Sequence, residues 1–339
     1  MLSRSIVCVL WGAMEGPDVN ELAEGMMSDD AGYASACVED LVDLLTSADE
    51  DDNDMQEELG SNDHVRTGLV KLLCTGMQDA PYWSCIALSH LVHRSTVNIS
   101  LVGSTPNIYE GLCRCLGFAE STEIACGVIS QLAFCNTYNS SKIVAYPPML
   151  PLLVNIVATG GKNDSQAATC ALSNCAANSK ECAMQIAKVP GMMEALKVLC
   201  RPPSAWMDNA GTSANGPEHD LLAHADGEGD EDLDAEERAV ISAIGCLDNL
   251  SHYHEARPLL HAAGVEDVLI DCINLRGRSQ APSVISAESA MILTRFLKPH
   301  RLEALSFSRN VLETIAHCAR CALDRQHWSV AACIPLNRT

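Results

Sequence analysis

An internal period constrains this chain more than any other feature. Breaks at Gly60, Gly103, Pro147 and Gly191 recur at spacings of 43, 44 and 44 residues. Five and nine residues after each break stand apolar side chains: Val65 and Leu69, Ile108 and Leu112, Leu152 and Ile156, Leu196 and Cys200. Units of this length that read as short helices cannot bury their apolar faces alone, so they must stack on their neighbours as a helical solenoid. The next break, Gly264, comes 73 residues after Gly191, and Leu269 and Ile273 keep the same offsets. The surplus of 29 residues falls in 201–233, a stretch rich in Pro, Gly, Asn, Ser and acids, which predicts a disordered acidic insertion between helices. Beyond Gly264 the period predicts a break at Ser308, followed in shifted register by Leu312, Ile315 and Ala316.

One unit, Asn163 to Cys200, shows the pattern in full. Ala168, Ala171, Leu172 and Cys175 lie at i, i+3, i+4 and i+7, a single buried stripe, with Asn163 and Asp164 as caps. Glu181–Lys188 makes a second helix with Cys182 and Ile186 on one side. Pro190 fits the first turn of a third, in which Met192, Leu196, Leu199 and Cys200 form the apolar face.

The residue mix agrees with helices. Aromatics are only 4%, and small apolar residues suit close helix packing better than sheets. The formal charge of −22 is concentrated: Asp49–Glu58 carries seven acids in ten residues and Asp226–Glu237 eight in twelve, leaving −7 for the remainder. An acidic chain without a basic stripe argues against direct nucleic-acid contact and makes basic peptides or proteins the natural ligands. Most of the 17 cysteines sit at apolar helical positions, as Cys74, Cys85, Cys126, Cys170, Cys175 and Cys272 do. They read as reduced core residues, with an expected location in the cytoplasm or nucleus. The apolar run Ile6–Trp11 is too short for a usual targeting segment, and no stretch approaches the ~18 apolar residues of a membrane span.

The expected organisation is a degenerate N-terminal helical repeat or cap at 1–47, where Val38, Leu41, Val42, Leu44 and Leu45 form an apolar stripe. An acidic loop follows at 48–58, then about five repeats over 59–325 interrupted by 201–233, then a tail or incomplete repeat at 326–339.

Several segments resemble the third helix of armadillo repeats: CIALSHLV (85–92), GVISQLAF (127–134), CALSNCAA (170–177), GCLDNLSH (245–252) and, more loosely, AESAMILTRFLK (287–298). The breaks at Gly60, Gly103, Gly191 and Gly264 resemble that family's glycine before its second helix. The resemblance covers roughly 50–325 and implies an all-α, right-handed superhelical solenoid, a non-catalytic scaffold for a protein or peptide held on a concave surface. In that family an Asn on the third helix commonly holds the backbone of an extended partner. The matching positions here are His90, Gln131, Asn174, Asn249 and Arg295. Asn174 and Asn249 match, Gln131 could substitute, and His90 and Arg295 depart. The chemistry is direct: extended peptides carry unpaired amides, which side chains that donate and accept at the solenoid spacing can pair. The competing expectation is that these side chains bond only a neighbouring repeat's backbone.

Nuclear import adaptors of the family place a Trp one turn earlier on the same helix. Ala87, Cys170 and Gly245 stand there instead, which argues against nuclear-signal recognition. The alternatives are a chaperone cofactor resembling the armadillo-type nucleotide exchange factors or a nuclear transport adaptor lacking the usual Trp pockets, and an enzyme with a site hidden in the groove is the remote one.

No cofactor or metal is expected. Cys318, Cys321, His317 and His327 lack the four well-placed ligands of a closed zinc site, and Cys113 with Cys115, or Cys246 with His252 and His254, read as core cysteines beside ordinary histidines. Asp226, Glu228, Asp230, Asp232, Asp234 and Glu237 approximate calcium-loop spacing, but Glu231 holds the position that needs Gly. There is no Gly-rich phosphate loop, nucleophile elbow or helical His-Glu-His motif, so an enzyme is not expected.

Overall fold

The computed structural model describes residues 18–47, 53–75, 79–201, 235–273 and 281–296, and every regular element among them is a helix. In chain order these are α1 (Val19–Met26), α2 (Ala31–Ser47), α3 (Asn53–Ser61), α4 (Asp63–Thr75), α5 (Ala80–Val92), α6 (Thr96–Ser104), α7 (Ile108–Cys115), α8 (Thr122–Ala133) and α9 (Thr137–Ala145). They continue with α10 (Met149–Thr159), α11 (Lys162–Asn178), α12 (Lys180–Ala187), α13 (Met192–Leu199), α14 (Ala235–Ser251), α15 (Arg257–Ala262), α16 (Val265–Ile273) and α17 (Ala281–Phe296). After the pair α1–α2, the described helices group in threes. The chain divides into two compact units, Met1–Val128 and Ile129–Thr339, with the boundary inside α8.

The joints are set by local chemistry. Where the third helix of one repeat gives way to the first of the next, a side chain caps the new helix. Ser95 Oγ accepts from Asn98 N–H, Asn136 Oδ1 from Asn139 N–H and Ser179 Oγ from Cys182 N–H, at 3.2, 2.9 and 3.1 Å. Two of these helices also close the carbonyls left open by the preceding one. Asn98 Nδ2 donates to Leu91 O and Asn139 Nδ2 to Leu132 O, each seven residues back. Entry to the second helix is made at α7, α13 and α16 by a left-handed residue: Asn107 (φ 64°), Gly191 (φ 84°) and Gly264 (φ 69°).

These joints correct the register read from the sequence. Val65, Ile108, Met149, Met192 and Val265 each open the buried face of a second helix, and Leu69, Leu112, Leu153, Leu196 and Leu269 follow one turn later, none more than 1% exposed. The equivalent spacings are therefore 43, 41, 43 and 73 residues. Leu152 is half-buried and does not belong to the set. Counting Leu196 with Val65 is a slip of four residues, one helical turn, which leaves the apolar stripe on the same face and so goes unnoticed.

Gly60 and Gly103 are accordingly not breaks. They lie inside α3 and α6, and Pro190 precedes α13 rather than opening it. Gly60 serves close approach instead: a Cβ there would meet the Asn98 side-chain amide at 2.2 Å. The acidic stretch expected as a loop at 48–58 is helical from Asn53 onward. Met55 and Leu59 stand at i and i+4, Leu59 is 1% exposed, and Gln56 Nε2 donates to the carbonyls of His90, Leu91 and His93. The N-terminal segment 1–17, the insertion from 202 to 234 and everything after Phe296, including the expected break at Ser308 and the Cys318–Cys321 segment, lie outside the described residues.

In the second unit the packed helices α11 and α14 mix small side chains with Leu and Ile. On α11, Ala168, Ala171, Leu172 and Cys175 are fully buried, and on α14 so are Ala243, Ile244, Cys246, Leu247 and Leu250. Such residues allow the helix pair to approach closely. No single described helix is long and apolar enough to cross a membrane.

Candidate functional site

The third helices of the second unit, α8, α11, α14 and α17, carry four of the five residues singled out in the sequence. Asn174 on α11 is 6% exposed and donates Nδ2 to Ser130 O at 3.0 Å and Ser130 Oγ at 2.9 Å. Asn249 on α14 repeats the arrangement on Ser173, at 3.2 and 2.9 Å. Arg295 on α17 donates Nη1 to Asp248 Oδ1, and to Ser251 Oγ at 2.9 Å. Ser130, Ser173 and Asp248 are the residues immediately preceding Gln131, Asn174 and Asn249, so each rung reaches back to the residue beside the previous rung. The amide orientation is fixed by chemistry, because a carbonyl oxygen can only accept and Nδ2 must face it.

Of the two expectations raised by the sequence, the structure shows the second, a bond to the neighbouring repeat. The donor half of each Asn stitches one repeat to the next. The acceptor half, Oδ1 of Asn174 and of Asn249, makes no hydrogen bond among the described residues. Gln131 on α8 is half-buried, and its Oε1 is buried with no hydrogen-bond partner. His90, on α5 of the first unit, stands apart from this set: it is half-buried, burial holds its imidazole below the usual range, and its backbone carbonyl is taken by Gln56.

A second row of stitches has no counterpart in the sequence reading. Asn178 Nδ2 donates to Ala133 O, Ser140 Oγ and Asn174 O, and Tyr253 Oη donates to Ala177 O at 3.2 Å. No side chain marks these contacts in the sequence at Ala133 and Ala177, which accept through their backbone carbonyls.

One turn before the rung positions the helices carry no aromatic side chain. Ala87 and Gly245 are buried. Cys170 is half-buried with Sγ 3.3 Å from Ser242 Oγ, and burial pushes its thiol up. At Gly127 a Cβ would meet nothing within 4 Å.

The last rung differs electrically from the others. Where two rungs pair Ser with Asn, the third pairs Asp248 with Arg295, and Glu288 on α17 faces both charges. Burial, reinforced by Asp248, pushes the Glu288 carboxyl up to about 7, and Arg295 opposes the shift. Its Oε2 is buried with no hydrogen-bond partner among the described residues.

Among the described residues no group of three or more His, Cys, Asp or Glu side chains is arranged to hold a metal ion. Two small recesses hold about 150 and 130 Å³. The first is lined by Lys162, Val198, Arg201 and Glu236, the second by Asp29, Lys71 and Leu72, and neither includes a rung residue.

Helices in threes, joined at capped turns and stitched through the third helix, define a repeat scaffold rather than a protein built around a single core. The fold is that of armadillo-repeat proteins. A designed armadillo repeat protein of the YIII(Dq)4CqI type matches 83% of this chain over its full length, with a TM-score of 0.61 at 15% identity. An engineered protein matches 83% of this chain and 98% of its own, with a TM-score of 0.61 at 17% identity. A designed armadillo repeat protein in complex with the peptide (KR)4 matches 83% of this chain over its full length, with a TM-score of 0.60 at 14% identity. No protein-family model and no curated protein matches the sequence.

Proposed function

We propose that the chain is a non-catalytic interaction scaffold that holds an extended peptide of a partner protein along the face formed by α11, α14 and α17. The observation that carries this reading is the pair of acceptors that make no hydrogen bond among the described residues, Asn174 Oδ1 and Asn249 Oδ1, held in place because their own amide nitrogens are anchored to Ser130 and Ser173. A fixed acceptor at successive repeats matches the unpaired N–H groups of a peptide lacking secondary structure, and its pre-organisation lowers the entropic cost of binding. The complex of a designed armadillo protein with (KR)4 supports the same use of the fold. The thirteen cysteines of the described residues form no disulfide with one another, which suits a reducing location, the cytoplasm or nucleus.

The test is fluorescence anisotropy with two labelled octapeptides, (KR)4 and the neutral (AS)4, against the full chain and the double variant N174A/N249A. Loss of about tenfold or more in affinity for both peptides, with the helical circular dichroism retained, is the expected result. Equal binding by variant and parent would sink the ladder's role.

A further inference from the structure

Three thiols of the first unit, none of them part of the ladder of rungs, converge at one joint between repeats. Cys85 lies on α5, the third helix of one repeat, and its side chain hydrogen-bonds that of Cys115 on α7, the second helix of the next. Cys126 on α8 is near enough to act on Cys85 electrostatically. All three are fully buried. Two sulfurs that already share a proton need only a short side-chain movement to reach the S–S length of about 2.05 Å. The pair is also electrically unequal. The S–H of Cys85 directed at Cys115 holds the Cys115 thiol below its usual range against the opposing effect of burial, with Arg114 helping, while Cys85 is pushed up. Other buried neighbours lack this division: burial pushes up both Cys200 and Cys272, the latter to about 12, and does the same to Cys175 beside Cys182. Because the thiolate is the reactive form, Cys115 is the nucleophile of the pair and Cys85 its resolving partner.

We propose that Cys85 and Cys115 form a reversible disulfide that clamps one repeat to the next when the chain meets hydrogen peroxide. The Cys115 thiolate attacks one peroxide oxygen, the O–O bond breaks, and Cys115 becomes a sulfenic acid as hydroxide leaves. That hydroxide takes up the proton Cys115 released and becomes water. The Cys85 sulfur then attacks the sulfenic sulfur, the S–O bond breaks, and the hydroxyl departs with the Cys85 proton as a second water. Two thiols are thus oxidised to one disulfide while one peroxide is reduced to two waters. Hydrogen peroxide is little larger than water and reaches a buried pair through the local openings that native chains undergo. In a reducing compartment the link is transient, because a small thiol such as glutathione reverses it by exchange. While it lasts, it closes a loop of about thirty residues and restricts the unfolded chain.

The experiment uses the full chain, reduced, freed of reductant and treated with hydrogen peroxide at pH 7. Remaining thiols are blocked with N-ethylmaleimide at intervals, and the unreduced peptides are mapped by mass spectrometry. The expected result is a Cys85–Cys115 link that forms at least about fivefold faster than any link among Cys175, Cys182, Cys200, Cys246 and Cys272, and that disappears on adding glutathione. Oxidation should raise the melting temperature of the parent by about 3 °C or more and leave that of Cys85→Ala, which keeps the nucleophile without its partner, unchanged. Pairing of Cys115 with another cysteine, a link no faster than those of the other buried clusters, or a linked chain that melts where the reduced one does would each overturn the clamp. The mapping is done on the parent, so the test holds even if the variant folds poorly.

Discussion

Asn174 reaches across forty-four residues of chain to bond both the carbonyl and the hydroxyl of Ser130 through a single amide nitrogen. The same contact recurs between Asn249 and Ser173, so the residue with a spare acceptor is also the one that fastens its repeat to the one before. Binding and cohesion are therefore linked at these positions.

This linkage predicts a stability cost beside the binding cost. Asn174→Ala removes both bonds to Ser130, whose carbonyl keeps the Phe134 N–H at 3.0 Å, and should destabilise the protein by about 1–2 kcal/mol. Ser130→Ala keeps the carbonyl bonded and should cost about 1 kcal/mol or less. Urea denaturation followed by circular dichroism compares the two, and equal losses would show that the hydroxyl, not the carbonyl, carries the stitch.

Glu288 gives a pH dependence of definite sign. Its carboxyl is raised to about 7 in the folded chain, chiefly by burial, with Asp248 adding to the shift and Arg295 opposing it. An acid with a raised folded pKa favours folding while protonated. Its contribution is full below about 4.5 and is lost as pH rises through about 7. The loss is at most about 3 kcal/mol, because the residue is half-buried. Glu288→Gln should flatten the fall in melting temperature between pH 5 and pH 8, and an unchanged slope would show that another group titrates.

Gly60 marks a contact between helices that leaves no room for a side chain. A Cβ there would meet the Asn98 amide at 2.2 Å, and that amide is pinned by bonds to Gln56 O and Leu91 O, both 2.8 Å. Gly60→Ala should cost about 1–3 kcal/mol despite its better helix propensity, as seen in chemical denaturation.

Gly191 and Gly127 have the same open surroundings, with nothing within 4 Å of an added Cβ, but opposite backbones. Gly191 is left-handed at φ 84°, whereas Gly127 lies within the helix α8. Alanine should therefore destabilise at 191 by about 1 kcal/mol and stabilise at 127 by about 0.5–1 kcal/mol. Two thermal melts decide the matter, and shifts of the same sign would refute it.

How far the sequence could be read depends on the kind of signal. Leu69, Leu112 and Leu196 announce amphipathic helices because burial repeats every 3.6 residues whatever the joint before them. The joints themselves were harder, since a left-handed entry can be made by Asn107 as well as by Gly191, while Gly60 serves packing and not turning. The ladder positions Asn174 and Asn249 were legible from their place on the third helix. What each half of the amide does was not, because Ser130 and Ser173 become partners only once helices distant in sequence are laid side by side. Glu288 carried no local signal at all: its perturbation comes from Asp248, on another helix, and from burial.

Arg201 and Glu236, which flank positions 202–234 in the sequence, line one recess, and Lys162 holds Glu236 there at 2.8 Å. Meanwhile α11 and α14 pack together as neighbouring third helices, as if the chain between them were short. Because the cost of closing a loop grows only slowly with its length, this doorway sets almost no limit on what passes through it. The junction between Arg201 and Ala235 is thus a socket, a place where a fluorescent reporter, an affinity tag or a foreign domain could be grafted while the repeats on either side keep their register.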